Sequence, residues 1–333
     1  MKKTKKSFKI FEIFAVVIIS LAFVTTATAA DALVPLGHTA GIKIASDGAM
    51  VIGISEDVPQ NPCKEAGIAP GDVIKSIDGK PICTNSELRH AVTESGGRCL
   101  DIEYVRNGET VCTKVTPVKG ADDQYVIGIR IRDGIAGIGT MTYFDPQDGS
   151  YGALGHGVSD GDTNVLVPVE HGTLMRSTVA DVKKGEPGNP GELIGDFAAD
   201  SDFADVRKNT DGGIFGKILD KSELTTQKEY PIAEKNEIKR GKATILTNIE
   251  GDEVREYEIE ITSIYFDGEK TKNMLIRATD PELISKTGGI VRGMSGSPIL
   301  QNGKIVGAIT HVLVNNPQKG YAIFIENMLD MAA

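Results

Sequence analysis

Basic clusters are what this 333-residue sequence most plainly lacks. After Lys9, lysine and arginine gather only in the short run "EIKRGK" at 237–242, which reads as a solvated turn. The formal charge is −10, and it falls to −14 once the first 29 residues, with five lysines and one glutamate, are set aside. An acidic body without a basic footprint excludes nucleic acid as a partner. Metal and cofactor signatures are missing too. There is no C-x-x-C pair, no H-E-x-x-H, no phosphate loop and no dinucleotide fingerprint, so no metal and no cofactor are expected. No strand-helix alternation runs through the chain, which argues against a parallel α/β fold.

What is present is glycine, 38 residues of it, with 40% apolar and 25% charged residues. This is the make-up of a soluble, turn-rich β protein with room for two domains. The opening "MKKTKKSFKIFEIFAVVIISLAFVTTATAA" reads as a targeting segment. Five lysines precede an apolar run, Ile13–Val24, and Ala27-Thr28-Ala29 fits a cleavage site. Twelve apolar residues fall short of the roughly 20 of a spanning helix. Residues 1–30 are therefore expected to be an export signal, with an amino-terminal membrane anchor as the alternative, and the remainder works outside the cytoplasm. Export permits disulfides among Cys63, Cys83, Cys99 and Cys112. The hairpin turning at Asn107-Gly108 sets Glu103 opposite Cys112, which excludes a Cys99–Cys112 bridge. Buried free thiols are the other reading.

Residues 33–118 form a compact unit. Two short strands open it, "PCKEAG" is one helical turn stopped by Gly67, and Thr84 with Glu87 writes a capping box for a helix ended by Gly96-Gly97. The segment "AGIAPGDVIKSIDGKPI", residues 66–82, resembles PDZ domains of bacterial proteases. The resemblance implies a carboxylate-binding loop at "PLGHTAGI", with Gly37 and Gly41. A peptide would add beside Ile42 and Ile44, and the 86–95 helix would be the other wall.

Residues 121–333 carry many short β-type runs and one terminal helix, "IENMLDM"; the stretch "KKGEPGNPGELIGDFAADSDFAD" reads as a surface loop. An antiparallel barrel or sandwich pair is expected. Within it, "GGIVRGMSGSPIL", residues 288–300, precedes a hairpin at Asn302-Gly303. A nucleophilic serine needs an exposed hydroxyl and converging amides, which glycines allow. The segment looks like the nucleophile loop of chymotrypsin-like proteases, where Gly-x-Ser-Gly-x-Pro selects Ser295 over Ser297. That resemblance implies oxyanion donors at the Gly293 and Ser295 amides, and it departs from the digestive enzymes in carrying Met294 before the serine.

The base must lie upstream, which leaves His156 in "YGALGHGVSD" and His171 in "VPVEHGTL". His156, among Gly152, Gly155 and Gly157 after a strand, is preferred. Asp280 in "IRATDPELI" is an acid candidate and equally a helix N-cap, and Asp160 and Asp162 compete with it. Spacing alone leaves this open. Taken together, the His156, Asp280 and Ser295 segments, behind a signal and a PDZ domain, resemble the stage IV sporulation protein B peptidases of endospore-forming bacteria. The resemblance implies a catalytic His156, Asp280 and Ser295 on a PDZ domain followed by a chymotrypsin-like double β-barrel. It further implies a signalling peptidase, secreted between the forespore and mother-cell membranes, that processes itself. Its other substrate would be a membrane-bound regulator of an intramembrane protease, cut to trigger late sigma-factor activation. Thr310 and His311 are expected to line the substrate cleft, with the Thr310 hydroxyl near Asp280. The rival readings are an exported PDZ adaptor with an inactive protease-like domain, and a general envelope quality-control protease; the PDZ-first order argues against the latter.

Overall fold

The computed structural model describes residues 32–333 except 59 and 223, the side chains of 198–200 aside. The signal or anchor expected at 1–30 lies outside the described residues. The chain opens with β1 (Ala32–Pro35) and the 16-residue β2 (Thr39–Ile54). A bulge at Asp47-Gly48, where Gly48 holds φ 117°, divides β2 between two cores. Before it, Ala40, Ile42 and Ile44 pack with Met141, Tyr151 and Leu174. After it, Ala49 and Val51 pack with Ile74, Leu100, Ile102 and Ile127.

The second of these cores is the PDZ unit. It holds α1 (Pro62–Glu65), β3 (Val73–Ile77), α2 (Asn85–Glu94), β4 (Leu100–Arg106) and β5 (Glu109–Val115). Local chemistry sets its turns. The Thr84 hydroxyl accepts from the Glu87 amide at 3.2 Å, while Glu87 accepts from the Thr84 amide at 2.9 Å. Asn107 and Gly108 take φ 52° and 82°, and Glu103 pairs with Cys112 as the hairpin register requires. All four cysteines are free thiols, and burial pushes Cys63 up to about 12.

Strand β6 (Ile129–Phe144) then runs back along all of β2, from Ile129 opposite Ile54 to Thr140 opposite Thr39. The segments 33–118 and 121–333 are thus interleaved. Residues 32–45 belong to the peptidase core, and Ile129 and Ile131 pack on the PDZ core. The peptidase sheet continues through β7 (Ser150–Ala153), β8 (Val169–Lys183), β9 (Glu192–Val206), β10 (Lys208–Thr210) and β11 (Gly213–Lys217). Among the described residues it counts 13 strands with the PDZ included. The surface loop expected at 183–205 is largely β9. Its aspartates read as loop, but they alternate with Leu193, Ala204 and Val206, which are buried against β8.

The last third closes a barrel from β12 (Gly241–Thr247), β13 (Arg255–Ile264), β14 (Met274–Ala278), β15 (Pro298–Gln301), β16 (Lys304–Leu313) and β17 (Asn316–Phe324). Helix α3 (Pro281–Thr287) leads into the serine loop, and α4 (Ile325–Ala332) ends the chain. The chain is mainly β, with a PDZ unit joined to a β body that ends in a closed six-stranded barrel.

Candidate active site

The serine loop is built on the closed barrel. Met294 is fully buried in its core, and the Met294 sulfur accepts from the Val291 amide at 3.4 Å. Apolar packing thus holds the loop where other serine proteases use an ion pair. Gly293 and Gly296 take φ 95° and 97°. At Gly296 a Cβ would overlap the Thr140 carbonyl, so only glycine fits. Ser295 is half-buried, and its hydroxyl donates to the Thr310 carbonyl at 2.8 Å. Among the described residues, no acceptor is found for the Gly293 and Ser295 amides, the arrangement an oxyanion pocket requires. Ser297 is fully buried inside the loop.

The histidine loop leaves β7 through Leu154 and Gly155, both left-handed at φ 72° and 68°. A non-glycine residue in that region is strained, and such strain concentrates at functional sites. His156 is half-buried, and its Nδ1 lies 2.9 Å from the Gly157 carbonyl. A carbonyl can only accept, so Nδ1 carries the proton and Nε2 is left as the base. Burial lowers the His156 pKa, with the Gly157 hydrogen bond opposing. The two loops meet over one strand. Gly155 abuts Thr310, and the His156 and His311 rings lie 5.0 Å apart, tilted by 37°. His311 faces outward, yet its pKa drops to about 4, through desolvation first, then His156 and Lys272, with Glu269 opposing.

Thr140, which sequence reasoning missed, ties both loops to β6. Its hydroxyl donates to the Gly293 carbonyl at 2.7 Å, its amide to the Ser295 carbonyl at 2.8 Å, and its carbonyl accepts from the Leu154 amide at 3.1 Å. Only a β-type run, "GIGTMTYF", marks this threonine in the sequence.

Three expectations need correction. First, Asp280 is not brought to His156. One carboxylate oxygen caps α3, accepting from Glu282 and Leu283 amides at 2.9 and 3.1 Å, and the other faces the Glu258 amide at 3.4 Å. The path from Met274 to Asp280 along β14 is about 20 Å. The Asp-Pro-Glu run folds as the N-cap it spells. Second, the Thr310 hydroxyl donates to the Thr271 carbonyl at 3.1 Å, away from Asp280; Thr310 is buried and only His311 faces solvent. Third, Gly37, Gly41, Ile42 and Ile44 do not form an open peptide edge. All four are buried, and β2 is paired on both sides there, Ile42 with Gly137 and Leu174, Ile44 with Ile135 and Gly172. The loop faces the closed barrel instead: the Thr39 amide donates to Asn248 at 2.8 Å, and Gly37 abuts Leu246.

The other candidates fall elsewhere. His171 is exposed beside Glu170. Asp160 and Asp162 follow His156 but bind Arg132. Burial opposes the Asp160 charge, yet the Thr163 and Asp162 amides, the Thr163 hydroxyl and Arg132 hold its carboxyl below the usual value. In the PDZ unit, the segment the sequence left unassigned to binding is "YVIGIRIRD", residues 125–133. Gly128 has φ 82°, Ile127 is buried, and Ile129–Arg132 pairs with β2 on one edge. Asp133 accepts from the Asn85 amide at the start of α2 at 3.0 Å. The sequence marks this segment only as an apolar-glycine-apolar run entering a strand.

Comparison with known proteins agrees with this layout. A PDZ domain model matches residues 38–116. Among curated relatives, serine protease HTRA1 of Xenopus laevis is 38% identical over 64 residues, 19% of this chain and 14% of that protein. A Clostridium perfringens protein named as a zinc metalloprotease is 30% identical over 76 residues, 23% of each. The chain thus spans about a quarter or less of the length of the curated relatives it matches. Among solved structures, the active form of the Rv3671c protease from M. tuberculosis is 17% identical. It covers 59% of this chain and 72% of its own, with a TM-score of 0.34. The PDZ domain of an SdrC-like protein from Listeria monocytogenes is 21% identical, covering 27% of this chain and 93% of its own, with a TM-score of 0.24. The model of the SpoIVB peptidase S55 family matches residues 123–329, which hold His156, Asp280 and Ser295 alike, and the chain belongs to that family.

Proposed function

We propose that this chain is a serine endopeptidase in which Ser295 attacks the peptide carbonyl and His156 Nε2 takes its proton. One observation carries the reading: Ser295 and His156 converge on the same dipeptide, Thr310-His311, with the imidazole in the tautomer a general base needs. The Gly157 carbonyl fills the orienting role that a carboxylate fills in a full triad. Ser295 must rotate away from the Thr310 carbonyl to reach the base. Gly293 and Ser295 amides hold the oxyanion. Tyr265, Phe266, Asp267, Glu269, Lys272 and Tyr321 line a hollow of about 440 Å3, and Tyr321 pairs with His311, so a substrate side chain would rest there between aromatic rings and charges.

The family and the lysine-plus-apolar leader support a narrower role. The enzyme is exported, held at the membrane by its leader until that is cut, and acts between the forespore and mother-cell membranes. There it cuts itself and a membrane-bound regulator of an intramembrane protease, which sets off late sigma-factor activation. In place of the buried 37–44 segment, peptides add along the edge of Ile129–Arg132 that has no strand partner among the described residues, beside α2.

A fluorophosphonate probe tests the chemistry. It is expected to label the full chain at Ser295, and Ser295→Ala is expected to lower peptide cleavage by roughly six orders of magnitude. An unlabelled wild-type chain would leave the inactive-adaptor reading standing, and a fully active Ser295→Ala variant would overturn Ser295 as the nucleophile. In sporulating cells, Ser295→Ala should leave the regulator uncut.

A further inference from the structure

The two halves of the site are supported differently. The serine loop is held from within the peptidase body. The histidine loop, from Leu154 to Pro168, is reached by the PDZ unit at several points. The Asp47 amide donates to the Pro168 carbonyl at 3.0 Å, and Gly71 abuts Val165. The most specific contact is Arg132, on the strand whose free edge is the proposed peptide site. Its guanidinium forks across the loop, one nitrogen on Asp160 Oδ2 and the other 2.9 Å from Asp162 Oδ2. The Asp160 side chain is 0% exposed. Its second oxygen, Oδ1, gathers the Asp162 amide at 3.0 Å, the Thr163 amide at 2.9 Å and the Thr163 hydroxyl at 3.1 Å. On either side of this turn the loop is also tied to Asn209, which accepts from the Val158 amide, between His156 and Asp160, and donates to the Val158 and Val167 carbonyls.

A buried carboxylate keeps its charge only with a partner, and Arg132 is the one cation bonded to Asp160 among the described residues. The turn that follows His156 is therefore organised around an anion whose counter-charge is supplied by the PDZ strand. We propose that Arg132 is a positioning residue of the peptidase: through Asp160 it fixes the histidine loop, so that the state of the PDZ strand Ile129–Asp133 sets the placement of His156. This rests on the serine-peptidase reading above. Peptide added along Ile129–Arg132 would act on the adjoining guanidinium without touching Ser295. Base misplacement by about 1 Å can cost roughly 100-fold in rate, so a modest shift of Arg132 is enough to gate the site.

The test uses the full chain, the fluorophosphonate labelling rate at Ser295, hydrogen exchange at the Asp162 and Thr163 amides, and melting temperature. Arg132→Ala is expected to slow labelling about tenfold or more and to speed exchange at both amides, with Arg132→Lys recovering part of each. Arg106→Ala removes a comparable fork, to the buried Asp72 inside the PDZ unit. It should lower the melting temperature similarly and leave the labelling rate and those amides unchanged. The proposal is overturned if Arg132→Ala labels within about twofold of wild type, or if Arg106→Ala slows labelling as much. Should Arg132→Ala not fold, Asp162→Asn, which spares the buried pair, is expected to slow labelling about threefold; a wild-type rate there counts against the link. A wild-type chain that takes no probe would sink the peptidase reading, and the exchange comparison alone would then decide the link.

Discussion

The serine and histidine loops lie against the same strand, yet they are held by different means. The serine loop is anchored by Met294 in the barrel core and by Gly296 pressed against Thr140. The histidine loop is anchored by hydrogen bonds and one buried charge, through one strained residue, Leu154, and by a side chain from another unit. Close packing is insensitive to what binds elsewhere, because a filled core has no second arrangement of similar energy. A charge pair at a joint does have one. The nucleophile is therefore built in, and the base is conditional.

The sharpest way to break this contrast is to give the serine loop a charge. Met294→Asp places a carboxylate in a site with no cation and is expected to destabilise the fold by about 4 kcal/mol, read by urea denaturation. A stable Met294→Asp chain with faster labelling would mean that the apolar packing of Met294 is not what holds the loop. Next, Thr140→Val removes the hydroxyl that binds the Gly293 carbonyl while keeping shape. Labelling should fall about tenfold and stability by roughly 1–2 kcal/mol. Loss of stability without loss of labelling would make Thr140 a scaffold only. Smaller still is Asp280. As a cap, Asp280→Ala should cost about 1 kcal/mol and Asp280→Asn almost nothing. An Asn variant that folds but loses about four orders of magnitude in rate would return Asp280 to the site. Finally, the pH dependence sharpens the base. Since burial lowers the His156 pKa, its neutral form persists below the ordinary 6.5, and the acid limb of kcat/KM should lie below that value. By linkage, His156 and His311 are both depressed, so the unfolded chain binds protons first. Stability should fall from pH 6.5 toward about 4, and His311→Phe should flatten that slope in a melting series.

The features legible in the sequence were local ones. Glycine spacing picked out Ser295, the capping box placed a helix, and Asn107-Gly108 fixed a register, because each depends on a few adjacent residues. Asp280 was legible as a cap from Asp-Pro-Glu, and the family resemblance pulled against that reading. What the sequence hid were pairings between distant segments. Nothing near Gly41 says that Phe197 will cover it, nothing near Ile42 says that Leu174 will pair with it, and Thr140 is one threonine among several on alternating strands. The Arg132–Asp160 pair joins a strand residue to a loop residue 28 positions on, and no period or motif connects them.

The shared strands β2 and β6 have a consequence for how such a chain can be cut, joined or inherited. The PDZ unit is spliced into the peptidase at two crossings, Asp47-Gly48 on the way out and Asp133 on the way back, so it is an insertion and not a bead on a tether. Trimming from the amino end would strip β1 and half of β2 out of the peptidase sheet before the PDZ unit was gone. A PDZ-free peptidase would have to be made by excising the middle and bridging Ala45 to Gly134, two residues already side by side in neighbouring strands.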